Sequence, residues 1–179
     1  HNRRLNDTRA HFWPESTPLQ LSDYLSSPGC GAGITGAGIV KARVVYGEKG
    51  IEDVSYSPYT VRHVHSLALM QADTIDYTYK SAGREPLNRL FALDDILIVK
   101  QGLLTDTSIA NIALSDGTHW YTPAHPLLKG TKRAALLEEG ILQEKDIRPE
   151  DLPSFSTVRL FNAMIDWGEL ELPVRNIIP

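Results

Sequence analysis

The chain has 179 residues, of which 42% are hydrophobic and 22% are charged, and its formal net charge is −4. This composition favours a packed core over disorder, and the length suits one ordinary domain or two small ones. The mild negative charge argues against a nucleic-acid partner, and the single cysteine, Cys30, excludes a disulfide framework and a multi-cysteine metal site.

The sequence also bears on where the protein works. No apolar run approaches the roughly 20 residues of a membrane-spanning helix, and no signal peptide is visible. We therefore predict a cytoplasmic protein with no membrane partner. The chain begins at His1 rather than at Met and enters a helical pattern at once. We expect that a natural beginning, including a first strand, precedes it.

The first half of the chain predicts one helix followed by β-strands. Leu5, Thr8 and Phe12 recur at helical spacing, which predicts a helix over residues 1–13 that ends at Pro14. A short amphipathic piece follows near residues 19–25. Strands are then predicted over residues 39–46, 54–59, 61–69 and 74–80.

The second half predicts short strands and further helices. Gln101–Gly102 and Asp116–Gly117 suit tight turns between strands, and Gly140 suits the end of a helix. The predicted strands cover residues 96–100, 109–114, 119–121, 141–147, 159–165 and 170–178. The predicted helices cover residues 86–93, 131–139 and, as a short turn, 148–152. This mixture is typical of the α+β class.

Two motifs have simpler explanations than the sites they suggest. Residues 31–36 read G-x-G-x-x-G, but a dinucleotide fingerprint needs a strand before it and a helix after it. A Ser-Ser-Pro stretch precedes this one and a β-rich run follows, so a loop is favoured. His63 and His65 would share one face of a strand, but no carboxylate lies close in sequence. A metal pair stays a minor alternative, and no metal site is predicted.

Lys80 ends the β-prone run beside two tyrosines. It is either an ordinary exposed charge or a partly buried amine with a lowered pKa that suits a Schiff base. Considered alone, the exposed charge is favoured.

Two polar segments lie further along the chain. Asp106, in the polar stretch over residues 104–111, either caps a turn or faces a ligand cation. Gly130 and Thr131 lead into a predicted helix, whose first-turn amides would suit a phosphate. A plain helix cap by Thr131 explains the same residues.

Taken in order, these segments resemble the fold-type IV family of pyridoxal-phosphate enzymes, which contains branched-chain and D-amino-acid aminotransferases and aminodeoxychorismate lyases. The resemblance is best over residues 75–179 and strongest over 103–133. The family shows a Thr-Glu, small polar residues and an Asn, then Tyr-Thr-Pro, then Leu-x-Gly-x-x-Arg at a helix start. This chain has Thr105-Asp106-Thr107-Ser108-Ile109-Ala110-Asn111, Tyr121-Thr122-Pro123 and Leu128-Lys129-Gly130-Thr131-Lys132-Arg133.

The resemblance implies pyridoxal 5'-phosphate as the cofactor and a role for each matching residue. Lys80 would hold the cofactor as a Schiff base and shuttle the proton at the substrate carbon. Asp106 would pair with the pyridine nitrogen and keep it protonated. Arg43 and Arg84 are candidates for binding the substrate. Further cofactor contacts are implied for Arg4, in a His-x-x-Arg-Leu helix, and for Thr107, Ser108, Thr131, Lys132, Asn162 and Ala163.

The chain departs from the family pattern at two positions. Asp106 replaces the usual Glu and is one methylene shorter, so the ring or the strand must sit closer. The Asn that often follows the family's lysine is absent here or displaced to Asn88. This second departure bears on the substrate.

The resemblance implies a small N-terminal α+β domain over residues 1–58 and a larger, β-rich C-terminal domain over residues 59–179, with a homodimer as the assembly. The first expected reaction is amino transfer between an amino acid and a 2-keto acid. One alternative is 4-amino-4-deoxychorismate lyase, which uses the same lysine and releases pyruvate. The other is an inactive relative that serves as a binding module.

Overall fold

The computed structural model describes residues 1–25, 38–81 and 94–179. The chain divides into two compact units, His1–Val61 and Arg62–Pro179, where we predicted a division between residues 58 and 59. The glycine motif, the helix predicted over residues 86–93, Cys30, Arg84 and Asn88 lie outside the described residues.

The first unit joins a helix to a β-hairpin. Helix α1 spans Asn2–Phe12, and a short 3-10 turn spans Leu21–Asp23. Strands β1 (Val40–Gly47) and β2 (Gly50–Pro58) pair antiparallel. The predicted helix and both strands are confirmed, with shifted ends.

The buried face of α1 differs from the prediction at one residue. Leu5 and Thr8 are buried as predicted, but Phe12 is 52% exposed, and Arg9 is buried at 3% exposure. The Arg9 guanidinium donates to the carbonyl oxygens of Gly47 and Glu48, the latter at 3.1 Å. These bonds fix the helix to the hairpin turn. Hydrophobic spacing does not reveal such an anchor because arginine is seldom buried.

One sheet of the second unit contains the strands β3 (Leu67–Gln71), β4 (Asp95–Lys100), β5 (Leu103–Thr107) and β11 (Ile177–Ile178). Their order in the sheet is β11-β3-β4-β5. Strand β4 pairs parallel with β3 and antiparallel with β5, and β11 pairs parallel with β3. Ile96 and Ile98 of β4 pack with Ile75 and Leu127 in a buried apolar cluster.

Another sheet of this unit has the order β10-β9-β6-β7-β8. Helix α2 (Thr131–Glu138) connects the parallel strands β7 and β8, and its Leu136 is buried with Ala113, Leu142 and Phe161. The strands are β6 (Asn111–Ser115), β7 (Trp120–Pro123), β8 (Leu142–Lys145), β9 (Thr157–Phe161) and β10 (Leu170–Pro173). Short 3-10 turns span Pro149–Ser154 and Val174–Asn176.

The predicted turns and the α2 helix are confirmed. Gln101 and Gly102 have φ angles of 53° and 75° at the β4–β5 turn, and Gly117 has a φ of 95° at the β6–β7 turn. Gly140 follows α2 with a φ of 73°. These left-handed angles are the reason that glycine suits the positions.

Several strand predictions are wrong in whole or in part. Residues 61–66 and 74–80 are not strands, and Val174–Asn176 interrupts the predicted strand over residues 170–178. Asp76 instead accepts hydrogen bonds from the backbone and hydroxyl of Thr78, which closes a turn. The polar stretch over residues 104–111 includes most of a buried strand, β5, which the lack of a period-2 pattern concealed.

Among the described residues, no helix combines the length and the apolar character needed to cross a membrane.

Candidate functional site

Asp106 lies near the end of β5 with 4% of its surface exposed. Its Oδ1 accepts a hydrogen bond from Asn111 Nδ2 at 2.8 Å, and its Oδ2 accepts one from the backbone N–H of Leu128 at 2.8 Å. A carboxylate offers about four acceptor positions, so further donors can still bind. The carboxyl therefore joins β5, β6 and the segment that leads into α2.

Burial dominates the electrostatics of this carboxyl. It raises the pKa of Asp106 from its usual 3.8 to about 7, although the hydrogen bonds from Leu128 and Asn111 and the charge of Arg133 act in the opposite direction. Burial raises the value because a low-dielectric interior disfavours the charged form. A cationic donor next to Asp106 would stabilise the charged carboxylate and lower this pKa again.

Asn111 connects Asp106 to the start of α2. Its Nδ2 also donates to the carbonyl oxygen of Leu128 at 2.8 Å, and its Oδ1 lies against Gly130. A Cβ on Gly130 would collide with this amide. Only glycine leaves room for the asparagine at the helix start.

The first turn of α2 offers backbone donors. Gly130 is its N-cap, no side chain caps the helix, and the first turn holds no acidic residue. The first amides of a helix have no partner within the helix and suit an anion. The side chain of Lys132 has a partner, since its Nζ lies 2.8 Å from Asp166 Oδ1. The alternative reading of Thr131 as the helix cap is wrong, because Gly130 occupies the N-cap position.

The turn between β5 and β6 closes on itself through Thr107. The Thr107 hydroxyl accepts the backbone N–H of Ala110 at 3.0 Å, and the Thr107 N–H donates to the Ala110 carbonyl at 2.9 Å. Ser108, in the same turn, donates its hydroxyl to Asp95 Oδ1 at 2.5 Å. Both hydroxyls therefore contribute to the shape of the turn.

Asn162 brings a further loop to this turn. Its Nδ2 donates to the Ile109 carbonyl at 2.9 Å, and its Oδ1 accepts the N–H groups of Met164 and Ile165. Ala163 is exposed in the same loop. We call Asp106, Asn111, residues 107–110, the first turn of α2 and the loop over residues 162–166 the cradle.

Lys80 lies on a different segment from the cradle. It is exposed, it follows the Asp76–Thr78 turn, and its φ of 54° is left-handed. Its Nζ lies 5.9 Å from the centre of the Tyr77 ring. The predicted strand end at Lys80 is therefore wrong, and the lysine is presented by a turn.

Tyr77 lies near Lys80 and also contacts residues next to the cradle. The ring packs against the cluster that contains Leu127, the residue before Leu128. Tyr77 and Leu127 also line an open cleft of about 350 Å³ with Thr105 and Lys100. Lys100 Nζ donates to the Ile75 carbonyl at 2.6 Å, so this second lysine is engaged in the fold.

The remaining predicted arginines belong to the first unit or lie outside the description. Arg4 is half-buried on α1, and its carbonyl accepts the Thr8 hydroxyl at 2.9 Å. Arg43 is exposed on β1, 3.7 Å from Asp53. Arg84 lies outside the described residues.

Sequence reasoning missed three side chains around the cradle. Asn111 belongs to the quoted motif, but no role was assigned to it. Arg133 is 3% exposed and donates to the Pro123 carbonyl at 2.8 Å and to Glu144 at 2.6 Å. Asp95 is fully buried at the start of β4. An acidic residue directly before the apolar run of β4 was the available signal for Asp95.

Comparison with known proteins identifies the family. The sequence model for amino-transferase class IV matches residues 50–177, which is most of the chain. The chain belongs to the class IV aminotransferase family. The fold-type IV resemblance stated above is thereby confirmed.

The family's relatives include proteins described as lyases. The chain is 36% identical to an uncharacterised protein of Haemophilus influenzae over 130 residues, which are 70% of this chain and 69% of that protein. It is 38% identical to a candidate aminodeoxychorismate lyase of Schizosaccharomyces pombe over 77 residues, 40% of this chain and 33% of the relative.

Solved structures confirm the α+β fold of this family. A candidate 4-amino-4-deoxychorismate lyase from Haemophilus somnus matches with a TM-score of 0.82 and 30% identity, over 92% of this chain and 87% of that one. A hypothetical aminotransferase from Mycobacterium tuberculosis, in its pyridoxal-phosphate-bound form, matches with a TM-score of 0.71 and 16% identity, over 100% of this chain and 76% of that one.

Proposed function

We propose that the protein is a pyridoxal-phosphate enzyme that acts on a small amino-bearing substrate. The buried Asp106 carboxyl is the observation that carries the proposal, because burial raises its pKa to about 7 and favours a cationic partner. A protonated pyridine nitrogen is a partner of that kind, with both a charge and an N–H donor. The donor set at the start of α2 likewise suits a phosphate.

The residues of the cradle divide the work of holding the cofactor. Asp106 would accept the ring N–H, and the first-turn amides of Thr131 and Lys132 would face the phosphate. Thr107, Ser108, Asn162 and Ala163 would form the surrounding loops, as the family resemblance implies. Arg4, on α1, is proposed as a further phosphate partner.

Lys80 would hold the cofactor through its Nζ and then move the substrate's proton. When bound, pyridoxal phosphate supplies an electron sink for the electron pair left when a bond at the amine-bearing carbon breaks. To accept that proton, Lys80 Nζ must be in its neutral form. Arg43 and Arg84 are proposed as partners of a substrate carboxylate.

We propose 4-amino-4-deoxychorismate lyase activity, with release of pyruvate, as the reaction. The support is that both relatives above with a described activity and at least 30% identity are candidates for this lyase. Amino transfer, the first expectation from the sequence, is the second candidate. The matched family model favours it, and Lys80 and Asp106 serve both reactions equally.

A paired assay separates these reactions. Purified protein is supplied with pyridoxal phosphate, and pyruvate release from 4-amino-4-deoxychorismate is measured beside amino transfer from amino acids to 2-oxoglutarate. Pyruvate release without amino transfer supports the lyase. Amino transfer without pyruvate release supports the aminotransferase. If neither product forms, the inactive binding module is supported.

Attachment of the cofactor is tested independently of turnover. Borohydride reduction followed by peptide mapping should find the pyridoxyl group on Lys80, and Lys80→Ala should abolish the label. Lys49→Ala, at an exposed position in the first unit, is the control. A label on Lys100 would refute the Lys80 assignment, and a protein that neither binds nor is labelled would refute the cofactor proposal.

The homodimer implied by the resemblance is also a proposal. Analytical ultracentrifugation of the cofactor-loaded protein should give twice the chain mass of 19.9 kDa.

A further inference from the structure

Asp95 is a buried carboxyl to which the proposed function gives no role. It begins β4 with 0% exposure, and its Oδ1 accepts the Ser108 hydroxyl at 2.5 Å and the N–H of Ile96 at 2.9 Å. Its Oδ2 is buried and has no hydrogen-bond partner among the described residues. An open acceptor in a protein interior is costly. A role beyond packing would explain why the fold keeps it.

The hydrogen bond between Asp95 and Ser108 joins strand β4 to the turn that follows strand β5. Asp95 belongs to β4, whereas Ser108 lies in the turn that directly follows Asp106 and β5. Thr107 already closes that turn through its bonds with Ala110. Asp95 therefore holds an internally rigid turn at a fixed place on the neighbouring strand.

The same turn also receives the loop of Asn162. The Asn162 amide donates to the Ile109 carbonyl, one residue beyond Ser108, at 2.9 Å. Asp106 lies two residues before Ser108 on the other side. The turn therefore sets the spacing between the proposed partner of the ring nitrogen and a loop proposed to approach the phosphate.

We propose that Asp95 is a positioning residue of the cradle, which acts through Ser108 to hold the turn between Asp106 and Asn162. This inference rests on the proposed function, because the cradle is the proposed cofactor site. It has a further consequence for Ser108. A hydroxyl has one proton to donate, and Asp95 receives it, so the Ser108 hydroxyl cannot also donate to a bound cofactor.

The test measures the Kd of pyridoxal phosphate by absorbance titration of the apoprotein. Asp95→Ala and Ser108→Ala each should raise the Kd about tenfold, the scale of one lost hydrogen bond. Asp95→Asn keeps an oxygen that can accept the Ser108 hydroxyl and should bind nearly as tightly as the unaltered protein. The double variant should bind pyridoxal phosphate no more weakly than the single variant with the higher Kd, because both substitutions remove the same hydrogen bond between Asp95 and Ser108. Asp116→Asn, at an exposed turn between β6 and β7, is the control.

A purely structural role predicts a different pattern. It would lower the unfolding temperature of the variants but leave unchanged the Kd and the absorption maximum of the bound cofactor. That pattern, or additive effects in the double variant, overturns the proposal. Should Asp95→Ala fail to fold, Asp95→Leu decides in its place, because leucine fills a similar volume but offers no acceptor to the Ser108 hydroxyl.

Failure of the proposed function gives a distinct result. If the unaltered protein binds no pyridoxal phosphate, the proposed function and this inference both fall. If the unaltered protein binds it and the variants bind it equally well, only the role of Asp95 falls.

Discussion

The backbone N–H of Leu128 donates to Oδ2 of Asp106 at 2.8 Å, which ties the end of β5 to the segment before α2. The partners are 22 residues apart in sequence. One bond thus places the acid proposed for the ring nitrogen beside the helix start proposed for the phosphate. The ring nitrogen and the phosphate lie at different ends of pyridoxal phosphate, so the groups that bind them must be held at a fixed separation.

Replacement of Asp106 by Asn should nearly abolish turnover. The amide cannot carry the negative charge that stabilises a protonated ring nitrogen, and a lost electrostatic partner of this kind costs about 10²–10³ in kcat. Steady-state kinetics at saturating cofactor check this. Asp116→Asn serves as the control, and an Asp106→Asn enzyme with unchanged kcat would contradict the assignment.

The apoprotein should lose stability as the pH rises from about 4 to about 7. The pKa of Asp106 is raised from 3.8 to about 7 by burial, so between these values the unfolded chain releases a proton that the folded chain retains. This group's contribution is full below pH 4 and is lost as the pH passes 7, with a slope of up to about 1.4 kcal/mol per pH unit.

Urea titrations of the apoprotein at several pH values measure that slope. Asp106→Asn removes the titrating group, so the variant should lack this group's slope between pH 4 and pH 7, and its difference in stability from the unaltered protein should be constant above pH 7. Saturating pyridoxal phosphate should also reduce the slope, because a cationic partner lowers the pKa of Asp106. Identical pH profiles for the variant and the unaltered protein would show that Asp106 is not the group responsible.

Gly130→Ala should destabilise the fold and weaken cofactor binding. The added Cβ collides with the Asn111 amide, and Gly130 has an ordinary φ of −65°, so the collision is the sole expected cost. Overpacking of this kind costs about 1–3 kcal/mol. Thermal unfolding and cofactor titration measure both effects.

Gly38→Ala is the matched control for this prediction, because a Cβ there would meet nothing within 4 Å in the part of the chain that the structure describes. If Gly130→Ala bound the cofactor as tightly as Gly38→Ala, close approach of Asn111 to the helix start would not matter for the site.

Arg159→Ala should destabilise the sheet that carries β9 without affecting cofactor binding. The guanidinium lies 4.2 Å from the Trp120 ring centre and 4.7 Å from that of Trp167, and its Nε lies 2.7 Å from Glu171. A cation–π contact is worth about 0.5–2 kcal/mol. Tryptophan fluorescence during urea unfolding measures the loss.

The exposed Arg175→Ala is the control for Arg159→Ala and should change stability little. Equal midpoints for the two variants would show that the contacts of Arg159 with Trp120, Trp167 and Glu171 contribute nothing measurable.

The sequence predicted the elements that have strong local signals. The α2 helix with its glycine end and the turns at Gln101–Gly102 and Asp116–Gly117 depend on spacing and on left-handed angles, which neighbouring residues set. The buried strand β5 and the turn at residues 74–80 were missed. A strand that is buried on both faces, such as β5, lacks the alternation of apolar and polar residues by which strands are recognised. At residues 74–80, the hydrogen bond to the Asp76 side chain stabilises a turn in spite of the β-propensity of the segment.

The candidate site was likewise predicted in part from the sequence and in part revealed only by the structure. By itself, the order of Lys80, Asp106 and the Gly130 helix start determined the family and the identity of the proposed site residues. Only the tertiary structure decided that Asn111 and Leu128 hold Asp106, that Asp95 holds Ser108, and that a turn rather than a strand presents Lys80. Motifs record which side chains are present along the chain. The hydrogen bonds that orient them form between distant segments, and the pKa of Asp106 depends on the burial that those segments create together.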